Sequence, residues 1–129
     1  MKILIISQYF WPENFLINDA AQELVQRGHD VTVLTGWPNY PHGKIFKEFS
    51  NSRGDYQYYQ GANIIRVPLV PRGKGSWWLA LNYLSFAFFS CVFGPWLLRK
   101  KRIDVVFTYQ LSPVTIGLTA ILLGSIKRA

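Results

Sequence analysis

Residues 2–35 read KILIISQYFWPENFLINDAAQELVQRGHDVTVLT, and the fold is decided there. The run Ile3-Leu4-Ile5-Ile6 is too short for a helix and does not alternate, which is the pattern of a strand buried on both faces. Ile17, Ala20, Ala21, Leu24 and Val25 then recur at i, i+3, i+4, i+7 and i+8, placing one apolar stripe on a helix. Asn14 or Asn18 is available to cap its first turn, Arg27 suits the negative end of its dipole, and Gly28 can take the left-handed stop. Residues 31–35, rich in β-branched side chains, form the return strand. Strand, helix and strand make a right-handed βαβ unit, the seed of a doubly wound, mainly parallel α/β sheet of the Rossmann-like kind.

Such sheets bind ligands outside the carboxyl ends of their strands. Two loops emerge at that edge, SQYFWPEN at 7–14 and GWPNYPHG at 36–43, both rich in aromatics and proline. The first contains no glycine, so the G-x-G-x-x-G cradle for a pyrophosphate is missing and a dinucleotide dehydrogenase is disfavoured.

At 129 residues the chain is about one domain long, and half of it is hydrophobic, enough for a core. The single cysteine, Cys91, lies in an apolar stretch, fits a reducing compartment and reads as a small buried hydrophobe. No signal-peptide pattern precedes the first strand. The net charge of +7 is unevenly placed: residues 1–71 balance six basic against six acidic side chains, whereas residues 72–129 hold eight basic ones and Asp104 alone. Basic residues beside a long apolar run, with no nucleic-acid motif, point to anionic lipid rather than nucleic acid.

Further along, residues 45–49 could form a helical turn and residues 51–55 a surface loop. Residues 56–60 and 64–69 read as two short strands joined through Gly61-Ala62-Asn63, with Pro68 marking an end or an edge. Arg72-Gly73-Lys74-Gly75 is a basic link, either a solvated loop or a phosphate or headgroup contact. Residues 77–98 carry no charge; as helix they would extend roughly 33 Å, long enough to span a bilayer. Trp77, Trp78 and Trp96 lie near its ends, and Arg99, Lys100, Lys101 and Arg102 follow. A span would separate the βαβ unit from the strand expected at 104–108, and Asn82, Ser85, Ser90 and the Gly94-Pro95 pair weaken a continuous spanning helix. The favoured reading is a helix or helix pair, partly core and partly seated in the membrane interface, with a true span and a wholly buried helix as alternatives. After the 104–108 strand, Ser112 as N-cap and Pro113 at the first helical position start a helix that runs to Lys127 and Arg128.

Acid–base candidates are few. Helix-dipole compensation accounts for Asp19, His29 reads as a turn residue, Glu13 is either a ligand contact or a structural partner of the loop backbone, and His42 is a site candidate by its loop. No Cys/His spacing fits a metal, and no Ser–His–Asp set or glycine-rich phosphate loop is visible.

The runs MKILIISQYFWPENFLINDAAQELVQRGHDVTVLTG, GWPNYPHGKIF, NIIRVPLVPRGKG, LNYLSF and VVFTYQLSPVTIGL together resemble the amino-terminal part of bacterial family-four glycosyltransferases. The nearest subgroup builds O-antigen, capsule or colanic-acid chains. Where many members carry a glycine pair in the first loop, this sequence has Glu13-Asn14-Phe15. The resemblance implies a GT-B enzyme, retaining and without a protein-bound metal or other cofactor. Its nucleotide-sugar donor would be held mainly by a carboxyl-terminal domain absent from these residues. Residues 1–129 would be an incomplete amino-terminal, acceptor-side domain, inactive alone, with the catalytic group beyond Ala129. The acceptor would be a sugar on a polyprenyl diphosphate at the cytoplasmic face of the bacterial inner membrane, with the protein bound peripherally. Gln8, Glu13, Asn14, Asn39, Tyr40, His42, Gln110 and Ser112 would line the substrate site; Arg72, Lys74, Arg99, Lys100, Lys101 and Arg102 would meet diphosphate or lipid headgroups. The alternative is a non-catalytic membrane-associated module or an inactive truncated remnant.

Overall fold

The apolar run at the amino terminus becomes an inner strand of one sheet, and two layers of helix cover it. The computed structural model describes residues 1–109 and 116–129. In chain order the elements are β1 (Lys2–Ser7), α1 (Leu16–Gln26), β2 (Asp30–Gly36), a short α2 (Lys47–Asn51) and a 3-10 turn at Arg53–Tyr56. They continue with β3 (Tyr58–Tyr59), β4 (Ala62–Val67), α3 (Ser76–Leu97), β5 (Val105–Tyr109) and α4 (Ile116–Lys127). The strand order is β3-β4-β2-β1-β5. β1 pairs in parallel with β2 and β5, β2 pairs in parallel with β4, and β3 alone runs antiparallel. This is the α/β, mainly parallel architecture expected from the first 35 residues.

Alternation along β1 sends side chains to two cores. Ile3 and Ile5 join Val31, Val33 and Ile64 beneath Ile17 and Ala21 of α1. Leu4 and Ile6 join Leu34 and Val67 beneath Phe86 of α3 and Leu123 of α4. One crossover helix therefore covers one face, and two apolar helices share the other.

Several boundaries differ from expectation. β4 begins at Ala62, not at residue 64, because the hairpin turns one step earlier: Gln60 and Gly61 both take positive φ (47° and 87°), a two-residue turn of the kind that matches strand twist. The strand expected at 56–60 shrinks to two residues, since Tyr56 closes the 3-10 turn instead. No side chain caps α1: Phe15 holds the cap position, Asn14 is exposed, and Asn18 turns back into the loop. Gly28 ends that helix as expected, with φ +85°. Pro95 does not break α3, which runs as one 22-residue helix. Gly94 there allows close helix packing, since a Cβ would meet Leu123 at 3.4 Å and Leu34 at 3.5 Å.

α3 is long and apolar enough, by length and composition, to cross a membrane. In the fold it lies between β4 and β5 of one sheet, and it buries Asn82, Phe86, Ala87, Ser90 and Gly94 on one side. Its other side exposes Trp77, Leu84, Phe88, Val92 and Trp96, and α4 exposes Leu118, Ile121 and Ile126. Cys91 is half-buried, with its sulfur 3.3 Å from Thr119 Oγ1.

Candidate functional site at the carboxyl edge

The loops after β1, β2 and β4 converge at the carboxyl ends of the strands, and buried polar side chains hold them together. Glu13 is the centre of this arrangement. Only 3% of it is exposed, and its Oε1 accepts the backbone N–H groups of Asn39 and Tyr40, each at 2.7 Å. Its Oε2 accepts the Phe10 N–H at 3.3 Å. Burial raises the carboxyl pKa to about 7, while these backbone donors and Arg66 oppose the shift.

Arg66, at the end of β4, clamps the same loops from below. Its guanidinium donates to the carbonyls of Trp11, Gly36 and Tyr56. Burial lowers its pKa to about 10, and the Glu13 charge offsets part of that. Asn39, fully buried, donates to Trp37 O and accepts the Arg72 N–H at 3.0 Å, so it fastens the second loop to the link after β4. Gly43 lies so close to that link that a Cβ would overlap Arg72 O at 1.6 Å, and its φ is +70°. Asn82, fully buried in α3, accepts from Gln8 Nε2 at 2.6 Å and Tyr9 Oη at 3.1 Å and donates to Val70 O at 2.6 Å. Burial holds the Tyr9 hydroxyl protonated well above the ordinary tyrosine range, which suits that donor role.

Above this polar layer the aromatic rings stack. Tyr9 lies parallel to Phe15 with centroids 5.1 Å apart, Tyr40 tilts against both, and the Arg72 guanidinium sits 5.5 Å over Tyr40. What the edge presents outward is cationic: an open notch of about 360 Å³ lined by His42, Lys44, Arg72 and Lys74. Such a rim can hold an anion such as a diphosphate.

The expected site residues therefore divide. His42, Arg72 and Lys74 come together, and Tyr40 lies beside them. Glu13, Asn39 and Gln8 sit at the same edge, but their polar groups are used within the protein. Asn14 is exposed on the first loop. Gln110 and Ser112 lie outside the described residues. Arg99, Lys100, Lys101 and Arg102 follow α3 instead: Lys100, Lys101 and Arg102 lie by Lys2 and Asp30, at the amino ends of the strands, and the Arg99 guanidinium sits 4.7 Å over Trp96. Arg102 pairs with Asp104 at 3.6 Å, and Lys101 is half-buried. Sequence reasoning missed Lys44, Arg66 and the positioning role of Asn82. The available signals were a lone charge in an apolar strand and a lone amide in an uncharged helix. No group of acidic, His or Cys side chains among the described residues could hold a metal ion.

A mainly parallel sheet with helices on both faces and strand-end loops gathered around one notch defines a Rossmann-like α/β domain. Residues 16–128 match the family described as "Glycosyl transferase 4-like domain"; the chain belongs to this family of glycosyltransferases, and its fold is consistent with the amino-terminal region of a GT-B enzyme. No curated protein and no solved structure gives a significant match.

Proposed function

We propose that this chain is the acceptor-binding part of a glycosyltransferase that moves a sugar from a nucleotide-sugar donor to a polyprenyl-diphosphate-linked acceptor in bacterial surface-polysaccharide assembly. A donor-binding domain outside these 129 residues would complete the enzyme, with retention of configuration. The observation that carries this reading is the cationic notch next to the start of α3. Trp78 packs within 3 Å of where a Gly73 Cβ would sit, so the notch opens beside the exposed apolar side of that helix. A diphosphate on His42, Lys44, Arg72 and Lys74 would leave its lipid tail along Trp77, Leu84 and Phe88.

In this reading the protein is peripheral, on the cytoplasmic face of the inner membrane. Basic residues lie at both ends of α3, Arg72 and Lys74 before it and Arg99, Lys100 and Arg102 after it, and the apolar stripe runs between them. A helix placed so, with its axis in the membrane plane, would bring both ends to anionic headgroups together.

The test is binding of a short-chain polyprenyl diphosphate to the chain, followed by sugar transfer once a donor-binding domain is joined to it. Saturable binding should weaken about tenfold or more in Arg72→Gln/Lys74→Gln, because each charge-assisted contact contributes about 1.5–3 kcal/mol. Unchanged binding in that variant would remove the notch from the site. The second reading, a non-catalytic lipid-bound module, is favoured by one observation: the carboxylate of the first loop, Glu13, is engaged by backbone donors instead of facing solvent. Binding without transfer by the joined protein would decide for it.

A further inference from the structure

A second pocket lies along the outer side of β4, and it shares no residue with the carboxyl-edge notch. It exists because β3 is only two residues long and pairs with Ala62 and Asn63, leaving β4 from Ile64 onward without a strand partner on that side. The excursion through α2 and the 3-10 turn forms one wall, and Leu97 and Lys101 at the end of α3 form the other. The space is about 490 Å³, within the range of small-ligand sites.

Its lining is one-sided in charge. Arg53, Arg66 and Lys101 face it, and no acidic residue does. The only ion pairs among the described residues are Arg27 with Glu23 and Arg102 with Asp104, so none of these three cations has a carboxylate partner. Arg66 is the telling member: its largely buried guanidinium donates only to backbone carbonyls, no carboxylate among the described residues lies within salt-bridge distance of it, and the Glu13 charge offsets only part of the cost of its burial. Arg53 is exposed and held in place by aromatic faces, 4.6 Å over Trp37 and 5.6 Å over Phe49. The side chains of Gln57, Tyr58 and Asn63 add hydrogen-bonding groups suited to hydroxyls.

We infer that this pocket binds an anionic monosaccharide, with its phosphate or carboxylate on Arg53 and Lys101 near the buried Arg66 and its hydroxyls on Gln57 and Asn63. The site is separate from the notch and stands whether or not the transfer reading holds.

Titration calorimetry on the 129-residue protein tests it, with glucose 1-phosphate and glucuronate as probes and glucose and inorganic phosphate as controls. Binding of at least one anionic sugar is expected, and the tighter of the two identifies the anion as phosphate or carboxylate. Glucose should not bind, and inorganic phosphate should bind more weakly than the preferred sugar. Arg53→Gln/Lys101→Gln should lower affinity for that sugar about tenfold or more while leaving the circular dichroism and Tm close to wild type. His42→Gln/Lys44→Gln should leave it unchanged. Failure of both anionic sugars to bind, equal binding by the Arg53/Lys101 variant, or loss in the His42/Lys44 variant instead would overturn the assignment. Phosphate binding as tightly as the sugars would overturn the sugar class.

Discussion

α1 and α3 are both crossover helices of one sheet, yet they meet their surroundings in opposite ways. α1 buries Ile17 and Ala21 and turns Asp19, Glu23 and Gln26 to water. α3 buries Phe86 and four small or polar residues, Asn82, Ala87, Ser90 and Gly94, and turns Trp77, Leu84, Phe88, Val92 and Trp96 outward. The first is an amphipathic helix in the ordinary sense. The second reverses the pattern, with apolar bulk outside and a polar contact, Asn82, fastening the site loops inside. An outer face of that composition along a whole helix is what motivates the proposed seating of α3 against lipid.

The sharpest way to break this comparison is to substitute neighbours on the two sides of α3. Phe86→Ala should cost about 3–5 kcal/mol through the cavity it leaves, whereas Phe88→Ser, two residues away but exposed, should change stability by about 0.5 kcal/mol or less. Chemical denaturation checks both, and equal losses would mean that the outward side is packed in the monomer.

Next in size is the polar layer. Glu13→Ala strips two short hydrogen bonds from the buried amides of Asn39 and Tyr40 and should cost about 2–4 kcal/mol. Glu13→Gln tests the charge itself. Its carboxyl titrates at about 7 in the fold and at 4.5 ordinarily, because burial penalises the charged form. Between those values the folded chain retains a proton that the unfolded chain has released, so stability falls as pH rises from 4.5 to about 7 and levels off above that. The full span of this effect is about 3 kcal/mol. In Glu13→Gln the slope should disappear while the Asn39 and Tyr40 contacts persist; parallel pH profiles for the two proteins would remove Glu13 as its source.

A smaller effect sharpens the role of Asn82. Asn82→Leu removes the acceptor for Gln8 and Tyr9 and leaves Val70 O without its donor, at a cost of about 1–3 kcal/mol. Hydrogen exchange should quicken at residues 8–10 and around Val70 and hardly change in β2, because the loss is confined to the two segments that Asn82 holds. Uniform quickening would assign Asn82 to general stability alone.

The βαβ unit was legible because Ile3, Ile5, Ile17 and Ala21 announce their burial by spacing alone. The hairpin was misplaced because Ala62 and Asn63 resemble turn residues, and only the paired strand shows Ala62 to be core. In the site, the converging loops were legible, but the direction of each side chain was not. Glu13 and Asn39 sit in exposed-looking loop sequence and turn inward, since the backbone amides they satisfy belong to segments distant in sequence. α3 was ambiguous because residues apolar on every side carry no periodic sign of which face is buried. Its length also divides the basic set, keeping Arg72 and Lys74 roughly 30 Å from Arg99.

Depth-dependent fluorescence quenching tests the proposed seating of α3 most directly. Proteins carrying one tryptophan each, at Trp77, at position 88 through Phe88→Trp, or at Trp96, would be bound to anionic vesicles with quenchers at graded depths. A helix in the membrane plane places all three at one shallow depth, and raised salt lowers binding of all three alike. A position-88 tryptophan near the bilayer centre, about 15 Å deeper than Trp77 and Trp96, would contradict that seating; no quenching at any of the three would contradict contact with lipid.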